Sequence, residues 1–320
     1  MGITIYDSQA MTPATYRKVC IAALVAVCLI VVTGAAVRLT GSGLGCADWP
    51  NCNDQKFVDV STPHGAVEQV NRLFTGVVMI AVIGAVLGAF LRRPRRRDLT
   101  VLAVLIALGV PMQGLVGAIV VVTDLNPFAN QQHFLLSMVL VALATVLVHR
   151  AGQPDDGTRA RVVSRPTSLH VRSITALTAL ALVTGTFVTG AGPHAGDERA
   201  KRFDVAISTV ARIHGITVMC LIGVAIALLW RLRTRGSDRR VLDDPLTMWM
   251  IVAVAQAAVG YTQYFSGVPA VLVGVHVALA TTLWVVTVRL QLATVEVSRT
   301  AEASAPVASA PASAAPAPSA

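Results

Sequence analysis

The chain has 320 residues, 54% of them hydrophobic and only 13% charged, with a net charge of +9 and a mean hydropathy of +0.66. That balance excludes a soluble globular domain and describes a polytopic membrane protein. The excess of 26 Lys and Arg over 17 Asp and Glu is no nucleic-acid footprint: the arginines cluster in 92–97, 150–172 and 231–240, all short links between apolar runs, which is the positive-inside pattern.

Apolar runs of about 20 residues, enough to cross about 30 Å of hydrocarbon, fall at 19–37, 73–91, 99–122, 133–148, 172–190, 209–230, 247–265 and 269–290. The fourth is short, which predicts a start about one turn earlier, near Gln131. The first is too long for a removed signal peptide and lacks a small-residue cleavage site. Arginine-rich links follow the even-numbered spans, which predicts cytoplasmic termini and outward-facing links after the odd-numbered ones.

Residues 1–18 read as a cytoplasmic lead-in. Cys20 and Cys28 in the first span, and Cys220 in the sixth, read as inert small hydrophobes. The first outer link, 38–72, opens with Gly41-Ser-Gly-Leu-Gly45 and continues Cys46-Ala-Asp-Trp-Pro-Asn-Cys52. No strand precedes these glycines, so they are turn formers at the membrane surface and no dinucleotide site. Cys46 and Cys52, on the oxidising side with a proline between them, favour a disulfide over a metal site, since no second Cys/His pair lies nearby. Spacing leaves open whether the bridge is structural or redox-active.

The same link ends His64-Gly-Ala-Val-Glu68-Gln-Val-Asn71-Arg72, which as a helix puts His64, Glu68, Asn71 and Arg72 on one face. A carboxylate at the mouth of a membrane helix is a functional candidate. The plainer alternative is an i, i+4 pair of Glu68 with Arg72. His149 and His170 flank a polar, Arg-rich connector at 151–171 and read as solvated interfacial residues. In the second half Val183-Thr-Gly185 echoes Val32-Thr-Gly34, and Thr189-Gly-Ala-Gly192 echoes Thr40-Gly-Ser-Gly43. The outer link that follows has no cysteine; it carries Pro193-His-Ala-Gly-Asp197, where His194 reads as a structural or surface residue. From 294 to 320 the chain is Ala/Pro/Ser-rich, with too few large apolar residues to fold.

A frame occurs twice. Asn71, Gln113 and His133 are spaced as His214, Gln256 and His276, and each glutamine opens a five-residue segment closed by glycine, Gly117 or Gly260. The predicted fold is therefore an all-α integral membrane protein: eight transmembrane helices in two pseudo-symmetric four-helix bundles related as parallel repeats. The first half spans 1–150 and the second 172–293. His214 and His276 open spans running in the same direction, so they lie at like depth, and two such imidazoles suit bis-histidine ligation of a haem iron. The first half has Asn71 at one ligand position, so a haem held by His133 there would be less tightly ligated, with Glu68 beside it to donate or accept protons.

On these residues the chain resembles the haem A synthase family, over nearly its whole length up to about residue 292. The likeness rests on the segment from Arg38 to Cys52, on Glu68-Gln-Val-Asn-Arg72, His133-Phe-Leu-Leu, Gly192-Pro-His-Ala-Gly-Asp197, Arg212-Ile-His214 and His276. The resemblance implies oxidation of a methyl group of haem O, stepwise through a gem-diol that loses water, to the formyl group of haem A for cytochrome c oxidase. It implies haem b as cofactor between His214 and His276, and haem O as substrate on His133 in the first half with Asn71 and Arg72 beside it. It also implies Glu68 in catalysis and Cys46 and Cys52 on the outer face. The chain departs from the commonest pattern at Asn71, where many members carry histidine; His64, two turns earlier, is the one residue that would compensate. Arg38, Arg72 and Arg212 at the outer rim suit haem propionates. The implied partners are dioxygen, haem O synthase, oxidase assembly factors, an electron donor and the lipid bilayer of the plasma membrane, with a homo-oligomer compatible and no nucleic acid. Two other classes fit the composition. One is a b-type cytochrome passing electrons between quinone and a membrane partner, which would keep both sites saturated with ligands. The other is a transporter, which needs broken helices with midplane polar residues.

Overall fold

The computed structural model describes residues 10–46 and 48–298. Helices α1 (Pro13–Leu39), α2 (Pro63–Leu91), α3 (Arg97–Val122) and α4 (Pro127–Ala151) come first. Strand β1 (Thr158–Arg161), helices α5 (Arg165–Ala191), α6 (Ile207–Arg235), α7 (Arg239–Phe265) and α8 (Ala270–Leu292), and strand β2 (Val295–Ser298) follow. Among the described residues all eight helices are long and apolar enough to cross a membrane.

Several helices begin earlier than hydropathy predicts, because their starts are set by polar caps. Thr12, Thr62 and Asn126 each accept a hydrogen bond from a first-turn N–H of α1, α2 and α4, and each is followed by proline at the first helical position. Proline there lacks only an N–H that would have no helical partner. These caps extend α1 back from 19 to Pro13, and α4 back from 133, and from the turn expected at Gln131, to Pro127. On α2 the same device brings His64, Glu68, Asn71 and Arg72 onto the helix. On α5, Ser164 precedes Arg165-Pro166, so the helix starts seven residues before the expected 172 and takes in His170. The connector shortens accordingly.

In the first half α1 packs on α2 and α4, and α3 on α2 and α4, closing a ring. In the second half α5 packs on α6 and α8, and α7 on α8, whereas α6 and α7 touch only sparsely. The halves meet mainly through α8 against α1 and α4. Val277 and Trp284 of α8 pack on the core built around Tyr16, Val82, Leu99, Ile106, Val141 and Leu147. A second core surrounds Ile174, Leu228, Leu242 and Trp249, whose indole N–H donates to Thr287 Oγ1 at 2.8 Å. Ile80, Leu108, Trp230, Ile251 and Phe265 point outward, as expected of helices whose solvent is lipid.

Polar contacts also join the halves. The Gln131 amide donates to Thr186 Oγ1 at 2.7 Å, and the Trp284 indole to the carbonyl of Met138 at 2.8 Å. On the arginine-rich side, Arg96 donates to the carbonyls of Arg150, Gln153 and Pro154, and buried Arg92 pairs with Asp155. These contacts fix the connector to the first half.

The segment expected to be structureless from 294 begins otherwise. Val295–Ser298 form β2, antiparallel to β1 with Arg161 opposite Val295 and Thr158 opposite Ser298. The alternating Val-Glu-Val-Ser pattern suits a strand better than a loop. The rest of that segment lies outside the described residues.

Candidate haem-binding site

Three histidines of the repeated frame sit against glycines on neighbouring helices. His133 on α4 packs on Gly117 of α3, where an added Cβ would lie 3.3 Å from ring Cε1. His276 on α8 packs on Gly260 of α7 (3.0 Å), and His214 on α6 packs on Gly185 of α5 (3.3 Å). A side chain larger than hydrogen at any of these positions would displace the ring.

Each of these rings keeps at least one nitrogen with no protein partner among the described residues. Thr184 Oγ1, which donates to the carbonyl of Leu180 at 3.0 Å, lies 3.1 Å from His214 Nδ1. Its one hydroxyl proton being used, the threonine accepts from Nδ1–H, and the lone pair of His214 falls on Nε2. His133 Nδ1 and His276 Nδ1 are buried and unpartnered, as are Oε1 of Gln113 and of Gln256. Gln113 Nε2 donates to the carbonyl of His133 (3.1 Å) and to Ser137 Oγ (2.6 Å), anchoring the turn that carries the histidine. Gln256 Nε2 lies 3.2 Å from His276 Nε2. Buried nitrogens without partners are costly unless something else satisfies them. The donor set comprises single imidazoles, and among the described residues no group of three or more His, Cys, Asp or Glu side chains is arranged for a bare metal ion. That set fits a haem, whose porphyrin supplies four equatorial nitrogens and requires only axial ligands from the protein.

In the first half, Asn71 takes the partner position on α2, and Thr33 Oγ1 donates to Asn71 Oδ1 at 2.8 Å. Glu68 lies one turn before it and is 5% exposed. Its Oε2 accepts the backbone N–H of Cys46 at 2.7 Å, and its Oε1 accepts from Arg72 Nη2 (2.6 Å) and Nε (3.1 Å). Arg72 Nη1 donates onward to the carbonyls of Asp48 and Asn51. The i, i+4 pair is therefore present, and it clamps the cysteine loop onto α2. Cys46 and Cys52 form a disulfide with an S–S distance of 2.08 Å. Gly45 lets this loop settle on α2, since a Cβ there would meet the His64 carbonyl oxygen at 2.4 Å.

The remaining candidates spread out. His64 is exposed and its Nδ1 lies 3.0 Å from Ser42 Oγ. Arg38 donates to the carbonyl of Thr189 at 2.7 Å, with a buried Nε left over; Arg212 is exposed. His194 Nε2 donates to the carbonyl of Val268 at 2.7 Å, tying two outer loops together. His149 is partly buried beside Gln153, and His170 Nδ1 lies 2.8 Å from the Pro166 carbonyl oxygen. Cys20 is buried, Cys28 partly so, and Cys220 is exposed on α6. Sequence reasoning did not assign a task to Thr33 and Thr184, although the echoed Val-Thr-Gly triplets were the signal for both.

Eight long apolar helices, three of them carrying partly buried imidazoles seated on glycines, define a multi-pass membrane protein. Residues 17–288 match the family model COX15-CtaA, described as a cytochrome oxidase assembly protein, and the chain belongs to that family. It is 29% identical over 274 residues to the haem A synthase of Listeria welshimeri serovar 6b, covering 81% of this chain and 88% of that one. The haem A synthase of Listeria monocytogenes serovar 1/2a is 29% identical over 284 residues with the same coverage. That of Lysinibacillus sphaericus is 30% identical over 172 residues, 52% of this chain and 56% of that one.

Proposed function

We propose that the chain is a haem A synthase of the plasma membrane, oxidising the methyl group of haem O to the formyl group of haem A for cytochrome c oxidase. Haem b sits between His214 and His276 in the second half. Haem O is the substrate, held by His133 in the first. The two halves act as pseudo-symmetric four-helix units, with both termini and the arginine-rich links on the cytoplasmic side and the disulfide loop outside. The observation that carries this reading is the repeated triad of histidine, facing glycine and unpartnered ring nitrogen at His133 and His276, with His214 oriented by Thr184.

Bound haem b supplies one-electron chemistry; the chain supplies position. Thr184 holds the His214 ring in one tautomer, and Gly185 and Gly260 let the two imidazoles recede into the helix surfaces. In the first half Gln113 fixes the turn bearing His133. Glu68 is the acid of the site, its carboxylate held one turn from Asn71 by Cys46 and Arg72, and Arg72 and Arg38 supply positive charge at the outer rim for propionates. Dioxygen, an electron donor, haem O synthase and oxidase assembly factors are the partners this activity requires.

The test is expression with a supply of haem O, followed by analysis of the extracted haems. Haem A, or its hydroxylated precursor, is the expected product. Bound haem with an unaltered extract would instead make the chain a b-type electron carrier.

A further inference from the structure

The two halves differ at one matched pair of contacts. In the second half, Thr184 faces His214 and the ring fills the space against Gly185. In the first, Thr33 faces Asn71, and a Cβ added at the equivalent Gly34 would meet no atom within 4 Å. The shorter amide stops at the threonine and does not reach the glycine. Across the frame, His133 retains the arrangement of His276, seated on glycine with an unpartnered Nδ1. His64 does not restore the balance, since its ring is engaged with Ser42 in the outer loop.

Asn71 is also oriented. Thr33 Oγ1 lies closer to Asn71 Oδ1 (2.8 Å) than to the Ile30 carbonyl (3.2 Å), so Oδ1 takes its one hydroxyl proton and Nδ2 is the free end of the amide, with no hydrogen-bond partner among the described residues. An amide is a poor ligand for haem iron, but an N–H donor of this kind on the far side of a singly ligated haem is what stabilises a small polarisable ligand there.

Resting on the haem reading above, we propose that the first half is a one-histidine haem site. In it, the side facing Asn71 forms a pocket for a neutral diatomic gas, and the Asn71 amide N–H is its hydrogen-bond donor. Asn71 is thus a ligand-binding residue, and the substitution of histidine by asparagine opens the site.

The experiment uses the full-length protein in detergent, loaded to saturation with haemin and reduced, with carbon monoxide as the probe. The low-spin haem held by His214 and His276 serves as the internal control for folding in every variant. In the wild-type chain a second haem is expected that is not low-spin and forms a carbon monoxide adduct. Asn71→His should convert it to a second low-spin haem and abolish the adduct. Asn71→Ala should keep the adduct but shift its C–O stretch to higher wavenumber, because the donor is gone. His64→Ala should leave the spectrum unchanged.

Two low-spin haems in the wild type, or no second haem, would overturn the proposal while leaving the second-half site standing. An altered spectrum in His64→Ala would assign the ligand to His64 and overturn it also. Absence of any low-spin haem that depends on His214 and His276 would instead defeat the haem reading itself.

Discussion

The backbone N–H of Cys46 donates to Glu68 Oε2 at 2.7 Å, so the outer loop and the acid of the first half are one structural unit. Arg72 completes it by pairing with Glu68 and capping two loop carbonyls. Removing the carboxylate leaves the buried Cys46 N–H without its acceptor and the Arg72 guanidinium without its counter-charge. Glu68→Ala should therefore cost about 3 kcal/mol and lower the thermal midpoint by several degrees. Glu68→Gln keeps an acceptor for Cys46 and should cost about 1 kcal/mol. If Glu68 is also the catalytic acid, Gln will hold the fold and still lose haem A formation. Full activity in Glu68→Gln would limit the residue to the clamp.

The disulfide closes a short loop, for which chain entropy gives about 2 kcal/mol. Cys46→Ser should lower stability by that order. Thiol labelling of oxidised, denatured membranes should gain two reactive groups per chain on reduction. Free thiols at both positions before reduction would contradict the bridge.

Glycine substitutions discriminate between the seats of His214 and His276 and the open position at Gly34. Gly260→Ala puts a methyl 3.0 Å from His276 Cε1 and Gly185→Ala one 3.3 Å from His214 Cε1. Overpacking of this kind costs about 1–3 kcal/mol, which corresponds to a loss of haem affinity from about fivefold to about a hundredfold. Gly34→Ala meets nothing and should leave haem content unchanged, with helix propensity adding about 0.5–1 kcal/mol of stability. In the same absorption assay, His214→Ala and His276→Ala should abolish the low-spin spectrum and His133→Ala should spare it. Equal effects of all the glycine variants would refute the seating of the rings.

Asp238, which precedes α7, supplies a pH test outside the membrane spans. It is buried, which raises its carboxyl, but hydrogen bonds from Ser164 and Thr167 and the charge of Arg231 outweigh burial and hold it below the usual carboxylate range. It accepts both the N–H and the hydroxyl of Ser164, at 3.1 and 2.6 Å, where α5 begins. Its contribution is thus complete above the unfolded carboxylate value near 4, and is lost as pH falls through the lower folded value. Asp238→Asn should be less stable than wild type at neutral pH, with the gap narrowing only below about pH 4. A constant gap down to pH 2 would exclude this linkage.

Hydropathy determined the eight helices, because in lipid every backbone polar group has to be satisfied within its own segment, and so run length alone is informative. Helix starts were less legible. The caps at Thr12, Thr62 and Asn126 are polar and do not register in an apolar count, although each was written in the chain as a Thr/Asn-Pro pair. β2 was hidden because its pairing with β1 joins residues far apart in sequence.

The repeated spacing of Asn71, Gln113 and His133 against His214, Gln256 and His276 is likewise a property of the sequence alone, as is the asymmetry at Asn71. Tertiary structure decided what that asymmetry means. Only packing shows that His214 reaches Gly185 while Asn71 stops at Thr33, and that Glu68, adjacent to Asn71 in the chain, is held by a loop some twenty residues away. Spacing fixes which helix face a residue occupies; which neighbouring atoms satisfy its polar groups depends on how the helices meet.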